Sequence, residues 1–254
     1  MTRLQQELQR LYLPPGTAPA EAGPWPLVGA DGRMRAMVLE LHSPADWAAL
    51  SQVWQGVQAD LDLPAPAIAV SGRDGYQLWF ALEAPVPVAQ AAAFLEALRQ
   101  RYLGSVKPWR LHRLPATDGG DQPAWHPAAV PAPQADDEHW SAFVAPDLAP
   151  VFADTPWLDT PPNPDGQASL LAPLRCATAA AFQRALQACG LVAEAPPPVK
   201  AATAPVMVAA PAAGVPQDPR QFLLSVMHDA SVPLAQRIEA AKALLGAAAG
   251  PPRG

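Results

Sequence analysis

A chain of 254 residues with a formal net charge of −6 and 33 prolines could hold one large domain or two small ones, but so much proline marks long stretches as linker or irregular backbone. No segment reaches the roughly 20 apolar residues that a membrane-spanning helix requires. Two cysteines, Cys176 and Cys189, with no second pair suggest neither a disulfide framework nor a zinc knuckle, so a cytoplasmic protein without membrane contact is expected.

The chain opens with MTRLQQELQRLYL, in which Leu4, Leu8 and Leu11 recur among polar residues as in a short amphipathic helix and unlike a signal peptide. Residues 1–33 are therefore expected to form an N-terminal helix and loop. MRAMVLEL, Met34 to Leu41, predicts a strand. Ser43, Pro44 and Asp46 follow as helix-start chemistry, with Ser43 as the expected cap, and Trp47, Leu50, Val53, Trp54 and Val57 give the helix one apolar face as far as about Asp60. APAIAVS, ending at Ser71, predicts a second strand, Gly72 to Gly75 a turn, and YQLWFAL a third strand paired with it as a hairpin. Pro85 and Pro87 are expected to start another helix carrying Val88, Ala91, Leu95, Leu98 and Tyr102 on one side, with Gly104 as its stop. PWRLHRL, Pro108 to Leu114, predicts a short fourth strand.

The order β-α-β-β-α-β predicts an α+β fold with a ferredoxin/RRM-like core over residues 34–117, both helices covering one sheet face and leaving the other open. Alternation along the strands assigns the faces. Met37, Leu39, Leu41, Ile68, Val70, Tyr76, Leu78, Phe80, Trp109 and Leu111 should meet the helices. Glu40, His42, Ser71, Gln77, Trp79, Arg110 and His112 should share the open face.

Residues 118–190 are expected to be an acidic extension, irregular at first and then helical at QASLLAPL and AAAFQRALQACG, packed on the core. Residues 191–217 read as a disordered Ala/Pro linker and residues 218–247 as a pair of short helices, too small to bury much alone and therefore in need of a protein partner.

Charge is unevenly spread. Residues 1–113 balance ten basic groups against ten acidic ones, whereas Leu114 to Leu174 holds nine acids and no Lys or Arg. Between Arg99 and Arg113 stand Arg99, Arg101, Lys107, Arg110 and Arg113 with no acid, interleaved with Tyr102 and Trp109. Such a segment can bind phosphate, or the acidic extension can fold back and neutralise it.

LELH at Leu39 to His42, SGRDGYQLWF at Ser71 to Phe80 and RLPAT at Arg113 to Thr117 together resemble the catalytic core of archaeo-eukaryotic-type primases and plasmid or phage primase-polymerases, over roughly residues 34–117. The resemblance implies an RRM-like sheet bearing metal-dependent nucleotidyl transfer, with catalytic positions at Glu40, His42 and Gln77. It also implies contact with single-stranded nucleic acid or nucleotides, for which Ser71, Trp79, Arg99, Arg101, Lys107, Arg110, His112 and Arg113 are the candidates. The departures decide the chemistry. Where the family has two acids holding Mg²⁺, this chain has Glu40 and His42, and imidazole suits Mn²⁺ better than Mg²⁺. The family's phosphate-contacting histidine falls on Gln77, which donates a hydrogen bond but carries no charge. Ala116 replaces the glycine of the last motif. A catalytically degenerate member of a replicon or mobile element is expected, requiring Mg²⁺ or Mn²⁺ only if active. The alternatives are an active nucleotidyltransferase with a Glu40/His42 metal site, and a scaffold whose sheet is capped by its own extension, with Trp79 packed beneath the cap. His126 and His139, which flank Asp136, Asp137 and Glu138, form a weaker metal candidate.

Overall fold

The structure is a computed structural model and describes residues 1–14, 17, 25–115, 126–134 and 138–191. The chain divides into two compact units, Met1–Pro196 and Pro197–Gly254; every described residue belongs to the first. The expected C-terminal helix pair, and the Ala/Pro linker beyond Leu191, lie outside the described residues, as do Ala116 and Thr117.

The fold is mixed α+β. Helix α1 spans Arg3–Leu11 and is started by a capping box in which Thr2 Oγ1 accepts from Gln5 N–H and Gln5 Oε1 accepts from Thr2 N–H. Strand β1 (Arg33–His42), helix α2 (Trp47–Ala59), strands β2 (Ala67–Val70) and β3 (Gly75–Pro87), helix α3 (Val88–Tyr102) and strand β4 (Leu111–Leu114) follow. The extension then contributes β5 (Ala142–Val144), α4 (Pro164–Leu171) and α5 (Ala179–Ala188). The five strands form one antiparallel sheet in the order β4-β1-β3-β2-β5.

Strand alternation puts large apolar residues on both faces. On the first face Phe80 meets Phe94 of α3 edge to face at 6.3 Å, Tyr76 meets Trp47 of α2 at 5.6 Å, and Phe182 of α5 extends the cluster 5.0 Å from Phe94. On the second face Trp79 lies 5.2 Å from Tyr12, which follows α1, 5.6 Å from Trp25 and 6.1 Å from Phe143 of β5. The face expected to be open is therefore closed around Trp79 by the N-terminal segment and the extension. The reason is energetic: exposed rings and leucines on α1 and β5 gain roughly 1.5–3 kcal/mol each when buried, and the uncovered half of the sheet is the apolar surface within reach.

Three local expectations are corrected. Ser43 does not cap α2; its φ of 51° places it in the left-handed region, and Asp46 caps instead, accepting from Ala49 N–H at 2.9 Å. Pro85 and Pro87 do not begin a helix. They end β3, which runs on against Arg33 and Met34, and α3 starts only at Val88; extended backbone suits proline where its missing N–H is not needed by the ladder. Trp109 does not face the helices. Pro108–Arg110 is a 3-10 turn, so the two-residue alternation begins at Leu111, and Trp109 is left 61% exposed.

The edges of the sheet are managed differently. At β5 the Gln167 side chain of α4 stands in for a sixth strand: its Nε2 donates to Phe143 C=O at 2.9 Å and its Oε1 accepts from Phe143 N–H at 2.7 Å, which satisfies a buried backbone pair that an edge would strand.

Candidate functional site

The register assembles the expected catalytic positions in one cross-strand row. Gln77 of β3 pairs with Glu40 of β1, and Glu40 pairs with His112 of β4. Within that row Gln77 Nε2 donates to Glu40 Oε2 at 2.6 Å, and Trp79 Nε1–H donates to Gln77 Oε1 at 2.9 Å. The indole thus fixes the amide, and the amide fixes the carboxylate. Glu40 and Gln77 are both buried. The other carboxylate oxygen, Oε1, lies 3.9 Å from His112 Nδ1.

His42, one pleat further along β1, stacks on His112 with ring centroids 4.1 Å apart. It can do so because its partner across the strands is glycine: a Cβ on Gly75 would stand 2.9 Å from both His42 Cβ and Leu41 O. His42 Nδ1 is 3.1 Å from Ser43 Oγ, which donates to Asp74 Oδ2 at 2.5 Å, while His42 Nε2 is buried without a hydrogen-bond partner. A continuous polar chain therefore runs from Trp79, enclosed among aromatic rings, through Gln77 and Glu40 to two histidines and the Asp74 turn. His112 is the more open end, with 38% of its side chain exposed.

Only one carboxylate lies in the row. Asp74 is on the far side of His42 and is half exposed. Among the described residues no group of three or more His, Cys, Asp and Glu side chains is arranged to hold a metal ion. His139 packs against Trp157 with ring centroids 4.7 Å apart and planes tilted by 60°, and Asp136 and Asp137 lie outside the described residues. Glu40 and His42, the metal pair implied by the resemblance, are on the same face, with one Glu40 oxygen engaged by Gln77.

The remaining candidates separate into three groups. Ser71 closes the hairpin, its Oγ accepting from Arg73 N–H and Gly75 N–H. Trp79 is 1% exposed, with aromatic rings around it. The basic residues do not form one stripe. Arg113 alternates to the helix side and, with Arg99, is held by Glu96 of α3; these two cations hold the Glu96 carboxyl down at about 2, against the opposing effect of burial. Arg101 pairs with Asp60 at 3.2 Å. Arg110 instead donates to two carbonyls, of His42 at 3.2 Å and Pro44 at 2.7 Å, and Lys107 is exposed. The acid that neutralises Arg99 and Arg113 thus comes from α3, three residues before Arg99, and not from the acidic extension.

Sequence reasoning missed Tyr12, Trp25 and Phe143 as the cover over Trp79, and Ser43 and Asp74 as neighbours of His42. The first group gave the signal of demanding burial without saying which surface it would find. No family model matches this chain, and no curated protein matches it in sequence.

Proposed function

We propose that this chain is a primase-like, catalytically degenerate module that binds single-stranded nucleic acid or nucleotides at the histidine end of its sheet. The reading draws on the resemblance of LELH, SGRDGYQLWF and RLPAT to primase cores. It is supported by the element order β-α-β-β-α-β of residues 33–114 and by the strand order β4-β1-β3-β2 within the sheet, an arrangement compatible with a ferredoxin/RRM-like core.

The observation that carries the proposal is the Gln77–Glu40–His112 row. It occupies the positions at which the resemblance implies metal and phosphate chemistry, yet offers one carboxylate, and that carboxylate is hydrogen-bonded within the row. Metal-assisted phosphoryl transfer needs hard oxygen ligands to neutralise charge as it develops. A single engaged carboxylate beside two imidazoles supplies too few for Mg²⁺.

Primer extension and dinucleotide synthesis by the purified full chain, with Mg²⁺ and separately with Mn²⁺, test this together with fluorescence anisotropy of labelled single-stranded DNA and RNA. Expected are no synthesis with either metal and weak binding that declines as salt rises. Template-dependent synthesis abolished by Glu40→Gln would instead make the protein an active nucleotidyltransferase.

A second reading, a non-catalytic protein-interaction scaffold, is favoured by the enclosure of Trp79 beneath Tyr12, Trp25 and Phe143. It takes precedence if neither strand binds at low salt.

A further inference from the structure

We infer that Trp109, and not Trp79, is the residue on which a base of single-stranded nucleic acid stacks, and that Lys107 and Arg110 hold the phosphates on either side of it. This rests on the proposed nucleic-acid-binding function and extends its contact surface from the histidine end of the sheet to the turn that enters edge strand β4.

Trp109 is the one exposed tryptophan among the described residues; Trp25 and Trp79 are buried, and Trp47, Trp54, Trp140 and Trp157 are partly so. An indole in water forgoes one of the largest apolar burials available to a side chain, and here it is held out by a defined turn. The 3-10 turn closes with Arg110 N–H on Lys107 C=O at 3.0 Å and Leu111 N–H on Pro108 C=O. Pro108 fixes its first dihedral, and the Arg110 guanidinium clamps it to the His42 and Pro44 carbonyls. The ring is thus presented on a stiff support, which lowers the ordering cost of binding.

Charge selects the ligand. Of the five cations between Arg99 and Arg113, three are neutralised, Arg99 and Arg113 by Glu96 and Arg101 by Asp60. The two that flank Trp109 are not paired with an acid: the Arg110 guanidinium bonds to neutral carbonyls, and the Lys107 ammonium makes no hydrogen bond or ion pair with the described residues. A flat aromatic face between two uncompensated cations matches an unpaired base between two phosphates. Duplex is disfavoured, because paired bases keep their faces stacked on one another. The histidine corner is continuous with this surface, since Arg110 bonds the carbonyl of His42 and His112 lies two residues further on.

The test is anisotropy with labelled single-stranded oligothymidine and oligouridine and a labelled duplex, using the full chain at low and moderate salt. Trp109→Ala is expected to weaken single-strand binding about 5- to 150-fold while the thermal midpoint stays at the wild-type value, because the side chain buries little. Two phosphate contacts predict a log–log salt slope of about −1.4, falling to about −0.7 in Lys107→Ala. Trp79→Phe should leave single-strand affinity within about twofold of wild type. If the wild type binds neither single strand at low salt, the proposed function fails and this inference with it. If the wild type binds and Trp109→Ala binds as tightly, or if duplex binds as well as single strand, the inference alone is overturned.

Discussion

Trp79 is the residue on which the two faces of the sheet differ most in consequence. Its ring is enclosed by Tyr12, Trp25 and Phe143, and its N–H orients the Gln77 amide toward Glu40. Trp79→Ala is therefore expected to cost about 3–5 kcal/mol. Trp79→Phe, which keeps most of the packing but leaves Gln77 Oε1 without its donor, should cost about 1–3 kcal/mol. Urea unfolding midpoints separate the two; an alanine variant as stable as wild type would mean the ring is not enclosed in solution. Gly75 makes a second test at this scale. The Cβ of Gly75→Ala would meet the Leu41 carbonyl and His42 Cβ, so a loss of about 1–3 kcal/mol is expected, with His42 pushed off His112. Nuclear magnetic resonance of the imidazole protons would show the displacement.

At the scale of elements, two side chains decide how helices meet the sheet. Glu96 gathers Arg99, Gln100 and Arg113, tying α3 to β4. Its carboxyl is held below the usual 4.5, at about 2, first by the Arg99 hydrogen bond and also by Gln100 and Arg113. A depressed folded-state carboxyl contributes stability that is fully present above about 4.5 and is lost as pH falls through about 2. Glu96→Gln should flatten this part of the acid limb in a stability–pH profile; an unchanged profile would remove Glu96 as a tie. Gln167 plays the corresponding part at the opposite edge. Gln167→Ala strands both Phe143 backbone groups, for an expected loss of about 2–4 kcal/mol, and should speed amide exchange at Phe143 before it affects β1. Nothing in the local sequence around Gln167 distinguishes it from a solvent-facing helix residue, because its partner is 24 positions away.

For the folded unit as a whole, the three tyrosines report independently on its assembly. Tyr12 is buried beneath the sheet and its phenol is pushed far up by burial. Tyr76 donates to the Ala149 carbonyl at 2.6 Å and is pushed to about 12 by burial. Tyr102 donates to Asp60 at 2.9 Å and is raised to about 12, by burial first and then by that hydrogen bond. A folded pKa raised above the unfolded value of 10.0 adds stability that is present below 10 and lost as pH rises toward 12. The expected outcome of an alkaline titration is no tyrosinate absorbance near pH 10, followed by its appearance together with loss of ellipticity. A tyrosine that ionises near pH 10 while the fold persists would show that its element is not packed as described. Among the described residues no helix is long and apolar enough to cross a membrane.

What the sequence determined by itself is what nearest neighbours along the chain control. The spacing of Trp47, Leu50, Val53 and Val57 made α2, the alternation of β1 and β3 placed Glu40 and Gln77 on one face and Phe80 and Tyr76 on the other, and the Gly72–Gly75 turn set the hairpin that pairs Gln77 with Ala69. What only the tertiary structure decided is what covers each face and which charges remain. Alternation says that Trp79 leaves the helix side, but it is silent on whether solvent or Tyr12, 67 positions earlier, awaits it. A run of five cations looks uniform in sequence; Glu96 and Asp60 neutralise three of them and leave Lys107 and Arg110 beside Trp109. Local pattern fixes the direction of a side chain through backbone geometry, whereas burial and ion pairing depend on contacts between segments whose distance in the chain carries no trace of their distance in space.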